Sequence, residues 1–282
     1  MGFVNLASNI DKKKKLLTKK RKKPMTSPKT LRLRREDIST KSIESLLHRC
    51  TIDPKLANDR DIFITINTTQ KLGLRKDYIP RIIPLSSSKL QSPRDLRILL
   101  ITKDPSNVYR DVLTRDERTK DLLKEIFSYK KLKRICRGNG VKQIYNDFDM
   151  ILVDFRVQRY LPDILGAKFF RGSKKIPFVV KLLREKPHGD VVCDPAYVRA
   201  QVRSICKNTF YLPNADNCLS VRVGRVGKHS VEEIVTNVQD VTRFLTDPKL
   251  KTQGGGIVKG GITSIFVKTD TSISLPLYKG TQ

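Results

Sequence analysis

Acidic residues are scarce in this chain. Against 57 lysines and arginines stand 28 aspartates and glutamates, and the 282 residues carry a formal charge of +29. The first 35 positions hold 13 of the basic residues and one acidic residue, so the remainder, with 44 and 27, is basic by itself. An excess of that size calls for a polyanionic partner, because each Lys or Arg set on a phosphate releases a condensed counterion. Nucleic acid fits. An anionic membrane surface would ask for a long amphipathic basic helix, which the pattern does not show. Apolar residues make up 38%, and no apolar run approaches the about 18 residues of a membrane span. The first residues lack the apolar core of a secretory leader. Cysteine is sparse: Cys50, Cys136, Cys193, Cys206 and Cys218 include no Cys-x-x-Cys pair, which points to reduced thiols in a cytosolic or nuclear protein.

Catalytic patterns are lacking as well. Gly138 and Gly140 open like a dinucleotide loop, but Gln143 stands where the third glycine belongs. Gly166 and Gly172 have the spacing of a phosphate loop, yet Ser173 precedes Lys174, the reverse of the order that gives Mg²⁺ its hydroxyl ligand. Asp149 and Asp154 bracket an apolar strand that holds them roughly 17 Å apart, too far to share one ion with Asp147. His48, His188 and His229 show no metal spacing, and no nucleophile elbow is present. The expectation is a protein that is not an enzyme, with no metal, no cofactor, no small-molecule substrate and no membrane partner.

What is present begins with a charge block. Lys12, Lys13, Lys14, Lys15, Lys19, Lys20, Arg21, Lys22 and Lys23 are followed by Pro24 and Pro28. Like charges this dense repel one another, so residues 1–35 read as a disordered basic tail: a nuclear-localisation signal, an RNA arm, both, or a merely solvated segment. Residues 42–50 form a short helix. Residues 62–68 alternate as a strand, and residues 79–85 form a second strand, kept at an edge by Pro80 and Pro84. From residue 93 the pattern changes. Apolar strands at 96–102, 149–154 and 178–182 alternate with helices around 118–127 and 157–165, the signature of a doubly wound parallel sheet. Asp194 and Pro195 then start a helix whose inner face is Val198, Val202, Ile205 and Cys206, with Arg199 and Arg203 outward.

The closing stretch is the most specific. A β-branched run ends at Gly224 and Gly227. Ser230 and Glu233 form a capping box ahead of Ile234, Val238, Val241 and Leu245, and Gly260 and Gly261 lead into a strand at 262–268. Gly254, Gly255 and Gly256 read as a flexible connection. The Val226-Gly227-Lys228 strand exit, the helix from Ser230 and the strand from Ile262 to Thr269 resemble the end of the ribosomal protein L1 family. Residues 165–177 are similar to that family's hinge segment.

The resemblance covers residues 40–280 or so. It implies an α/β, ribosomal L1-like fold: a split RNA-binding α/β domain, residues 36–92 and 190–282, with an inserted Rossmann-like three-layer domain, residues 93–189. The family's Thr-Met-Gly loop, which packs on RNA, maps to Thr269, Asp270 and Thr271. Its Met and Gly are replaced here. Beside Thr269 and Thr271, the expected RNA-binding face consists of Lys71, Arg75, Lys76, Lys228, His229, Lys259 and Lys268. Residues 79–85, 99–105 and 198–209 look like the fungal U-three snoRNP-associated group of the family. That likeness implies a nucleolar, hence nuclear, assembly factor of the early small-subunit pre-ribosome (the small-subunit processome, or 90S particle). Its work would be pre-rRNA processing and 18S rRNA maturation, with pre-ribosomal RNA and other processome proteins as partners. Two alternatives stay open: a large-subunit (60S) assembly factor of the same family, and a protein-interaction scaffold with little direct RNA contact.

Overall fold

The computed structural model describes residues 34–56, 58–88, 90–171, 175–185 and 191–280; the charge block from Lys12 to Lys23 lies outside the described residues. The chain opens with helix α1 (Thr40–Ile52) and strand β1 (Asp61–Thr68), then β2 (Arg81–Ile83). The middle carries β3 (Ile98–Thr102), α2 (Asn107–Arg115), β4 (Glu125–Ser128), α3 (Tyr129–Ile135), α4 (Gly140–Asp147), β5 (Met150–Asp154), α5 (Leu161–Phe170) and β6 (Phe178–Val180). The last third adds β7 (Leu183–Glu185), β8 (Val191–Cys193), α6 (Pro195–Lys207), β9 (Thr209–Tyr211), β10 (Cys218–Arg225), α7 (Val231–Thr246), β11 (Ile262–Lys268) and β12 (Leu275–Lys279).

Residues from both ends of the chain build one antiparallel sheet, in the order β10-β1-β11-β12. Alternation along β1 turns Ile62, Ile64 and Ile66 to a single face, where each contributes roughly 1.5–3 kcal/mol by leaving water. Helices α1 and α7 cover that face through Ile43, Leu46, Ile234, Val238, Val241 and Leu245. The capping box forms as the spacing predicts: Ser230 Oγ accepts from the Glu233 N–H, and the Glu233 carboxylate accepts from the Ser230 N–H. The three glycines after α7 are not a loose connection. A Cβ on Gly255 would stand 2.4 Å from the Phe244 carbonyl oxygen, and Gly256 N–H donates to that same oxygen. The turn is packed against the end of the helix, and Tyr211 donates its hydroxyl to Gly254 O.

The second sheet is parallel throughout, in the order β4-β3-β5-β6. Its central strands β3 and β5 are buried along their whole length, as strands covered on both faces must be. One face packs on α2 through Tyr109 and Leu113, the other on α3, α4 and α5 through Leu132, Ile144, Leu161 and Leu165. The first of these layers is completed by α6, whose Val198, Val202, Ile205 and Cys206 share a core with Ile98, Leu100 and Leu152. The α/β expectation therefore holds, and the three-layer unit draws one of its helices from beyond residue 190. Where the chain passes between the two sheets, β2 on the way out pairs antiparallel with β9 on the way back.

One expected element is absent. Residues 118–127 are not a helix: Arg118 N–H donates to Asp116 Oδ1 and the Thr119 hydroxyl to Leu113 O, ending α2, and the chain then enters β4. Local bonds of this kind compete with helical ones and win where the apolar face is short.

Candidate nucleic-acid interface

The register of the antiparallel sheet decides where the expected RNA-binding residues lie. Asp61 pairs with Arg225 and Phe63 with Lys268 at one end of β1; Asn67 pairs with Cys218 and Thr68 with Ile262 at the other. Eight residues of strand separate these ends by about 23 Å. Lys71, Arg75 and Lys76 follow β1, and Lys259 precedes β11, so all four sit at the Thr68 end, exposed. Their loops touch: Thr69 N–H donates to Gly261 O. Lys228, His229, Lys268, Thr269 and Thr271 lie at the Asp61 end. The expected single basic face is thus two groups at opposite ends of the sheet.

At the Asp61 end, two of the five are not surface groups. His229 is 5% exposed, and its Nδ1 accepts the Arg225 N–H. Thr269 is fully buried and donates its hydroxyl to Asp59 Oδ2 at 2.6 Å. The same carboxylate oxygen accepts both the N–H and the hydroxyl of Thr271, each at 2.8 Å. Ser272 adds reciprocal bonds to Thr269. Thr269, expected among the RNA-binding residues, is held inward by the buried Asp59, while Asp270 and Thr271 are exposed. Lys228, on the turn after β10, remains exposed, and Lys268 is half-buried.

Lys228 stands where two clefts join. One, of 710 Å³, runs between the antiparallel sheet and the amino ends of the parallel strands, lined by Arg60, Asp61, Arg222 and Arg225 on one side and Asp149, Lys175 and Ile176 on the other. Asp61 lies between two arginines, 3.5 Å from Arg222 Nη1 and 3.4 Å from Arg225 Nε. Burial pulls the Arg222 guanidinium below the usual arginine range while Asp61 pushes it back up. The other cleft, of 550 Å³, is lined by Arg94, Arg118, Arg199, Arg203, Lys207 and Lys228, against Glu117 and Asp121. None of those six cations is in an ion pair among the described residues. Arg199, Arg203 and Lys207 recur every fourth residue along α6, a stripe of about 12 Å. Of the six, Lys228 was expected in the RNA-binding face, and Arg199 and Arg203 carried a sequence signal in their outward spacing. Arg94, Arg118 and Lys207 come together through the fold.

The groove offers fixed positive charge. Among the described residues no group of His, Cys, Asp and Glu could hold a metal ion, and no helix is long and apolar enough to cross a membrane. Burial raises the Cys193 and Cys206 thiols to about 11, so they stay protonated at neutral pH.

A split antiparallel sheet joined to a doubly wound parallel one is the fold that the ribosomal L1 resemblance implies. The chain belongs to the ribosomal protein L1p/L10e family, whose profile matches residues 18–273. It is 53% identical over 246 residues to the Saccharomyces cerevisiae protein named Ribosome biogenesis protein UTP30, covering 86% of this chain and 89% of that one. A Schizosaccharomyces pombe protein named for ribosome biogenesis is 27% identical over 77% of the chain. The mouse Ribosomal L1 domain-containing protein 1 is 25% identical over 70% of it. These last two are longer proteins, of which the matched part is 54% and 40%.

Proposed function

We propose that this protein is a non-enzymatic RNA-binding assembly factor of the early small-subunit pre-ribosome, acting in the nucleolus in pre-rRNA processing and 18S rRNA maturation. The observation that carries the RNA reading is the groove: six cations and two acids, with none of the six in an ion pair among the described residues. In a domain rich enough in acids to pair them, such cations would be neutralised; left unpaired along one helix and three connecting segments, they fit a chain of phosphates. The ribosome biogenesis name of the 53%-identical yeast relative supports the process. The fungal U-three-associated likeness supports the small-subunit particle.

The split body of residues 36–92 and 190–282 sets the register of the RNA, and the insert of residues 93–189 supplies the far wall of the groove. Lys228 with the α6 stripe holds one RNA segment. Lys71, Arg75, Lys76 and Lys259, at the other end of the sheet, reach a second. Crosslinking the protein to RNA in growing cells and sequencing the bound fragments tests this. Reads from the small-subunit precursor are expected. Reads concentrated in large-subunit spacers would move the protein to the other particle, and a near absence of reads would make it a protein scaffold.

A further inference from the structure

The parallel sheet has a second functional edge. Open α/β sheets take ligands outside the carboxyl ends of their strands, at the point where successive crossovers part to opposite faces. Here that point lies between β3 and β5, because α2 packs on one face of the sheet and α3, α4 and α5 on the other. The groove described above lies at the amino ends, so this edge points away from it.

The crevice itself is filled from within. Arg156 pairs with the buried Asp154 and donates to the Tyr109 hydroxyl at 2.7 Å. No small ligand is needed to neutralise it. The rim is different. Phe155, directly after β5, is 62% exposed, and its N–H is fixed on Val180 O at 3.0 Å, so the backbone beneath the ring is held. Tyr160 is 38% exposed, its ring 5.5 Å from that of Tyr129 and 4.7 Å from the Arg159 guanidinium.

Next to Tyr129 runs a row of charge. Lys130, Lys133 and Arg134 of α3, with Arg137 just beyond it, follow the one-face spacing of a helix and are all exposed. None of the four is in an ion pair among the described residues. By contrast Lys131, turned inward, is engaged by Glu125 and the Phe127 ring. Of the acids in the flanking segments, Asp154 is matched by Arg156, Asp104 accepts the backbone N–H of Lys130, and Asp163 lies in the first turn of α5.

We infer that this rim binds single-stranded RNA, with bases stacked on Phe155 and on the Tyr129–Tyr160 pair and phosphates on Lys130, Lys133 and Arg134. The inference rests on the RNA-binding reading above and adds a second contact surface and a strand preference to it. Exposed rings interleaved with unpaired cations match unstacked bases on a polyanion, because any base presents a π-face while a duplex hides it. An acidic protein segment would satisfy the cations and leave the rings without a role. The groove needs only backbone charge and accepts a duplex.

The test uses the full chain, fluorescence anisotropy, and two probes: a labelled unstructured RNA oligonucleotide and a labelled RNA hairpin. Phe155→Ala with Tyr160→Ala is expected to weaken single-strand binding about tenfold or more and leave hairpin binding unchanged. Phe155→Trp, which keeps a stacking ring, should bind as the parent does. Lys133→Ala with Arg134→Ala should lower the single-strand salt slope by about 1.4. Both ring positions are exposed, and circular dichroism confirms that the variants are folded. Equal single-strand affinity in the ring variant and the parent overturns the inference, as does competition by polyglutamate that is insensitive to the rings. A parent that binds neither probe at physiological salt overturns the proposed function instead, which keeps the two failures apart.

Discussion

Replacing Thr269 by Val separates two roles for the 269–271 loop. If the loop gripped RNA through its hydroxyls, the variant would lose RNA affinity and keep its stability. The geometry predicts the reverse. The Thr269 hydroxyl is buried and donates to one oxygen of the Asp59 carboxylate, which also takes two donors from Thr271. A hydrogen bond to a charged acceptor is worth about 1.5–3 kcal/mol, and Val fills the same volume, so the expected loss is about 2 kcal/mol. At about 2–4 °C per kcal/mol for chains approaching this size, the melting midpoint should fall by roughly 4–8 °C. Asp59→Ala strands all three donors, but Thr271 is exposed and can turn to water, so its cost should be about 3–4 kcal/mol rather than the full sum. The double variant should cost little more than Asp59→Ala alone, because the two share one interaction. The assay is thermal and urea unfolding of the four proteins, alongside RNA anisotropy at low salt. A Thr269→Val protein with an unchanged midpoint and a tenfold weaker affinity would refute the reasoning, and an additive double variant would refute the shared carboxylate.

Neutralising Arg199, Arg203 and Lys228 to Ala together should reduce the slope of log affinity against log salt by about 2.7, read on the hairpin probe. Gly255→Ala should lower stability by about 2 kcal/mol through overpacking, since its Cβ would meet the Phe244 carbonyl at 2.4 Å, while Gly138→Ala, with nothing within 4 Å, should be neutral in the same unfolding assay. Asp149 is held below the usual carboxylate range first of all by its hydrogen bond from the Arg97 side chain. A carboxylate depressed in the folded state stabilises above its unfolded pKa and loses that contribution as pH falls through the folded value. Asp149→Asn should therefore lose more stability at pH 7 than at pH 3, measured as urea midpoints.

The elements with a long apolar period were legible: β1, β10, β11 and α7 follow from alternation, the capping box and helical spacing, and α6 from Asp194, Pro195 and its four inward residues. Pairing was not. Lys71 and Lys268 flank or end apparent neighbours in the sheet, but antiparallel register sends successive loops to opposite ends, and nothing local to a strand states its partner. The Thr269 hydroxyl looked available because its acceptor, Asp59, is 210 positions away along the chain. The groove escaped for a similar reason. Arg94 precedes β3, Arg118 lies in the turn after α2, and Lys207 ends α6; each reads as an ordinary surface cation until the fold sets them round one cleft with Lys228.

Helix α6 belongs to the returning arm of the chain yet lies in the core of the parallel sheet. A cut at residue 190 would not release a finished domain. A piece spanning 93–189 would leave Ile98, Leu100 and Leu152 facing water where Val198 and Val202 now lie, and it would aggregate or unfold. The smallest self-sufficient unit runs on through α6, and the same excision would strip the arginine stripe from the body that keeps Lys228. Groove and insert are therefore inherited together: a lineage that lost the inserted layer with α6 would keep only Lys228 of the six cations that line the groove.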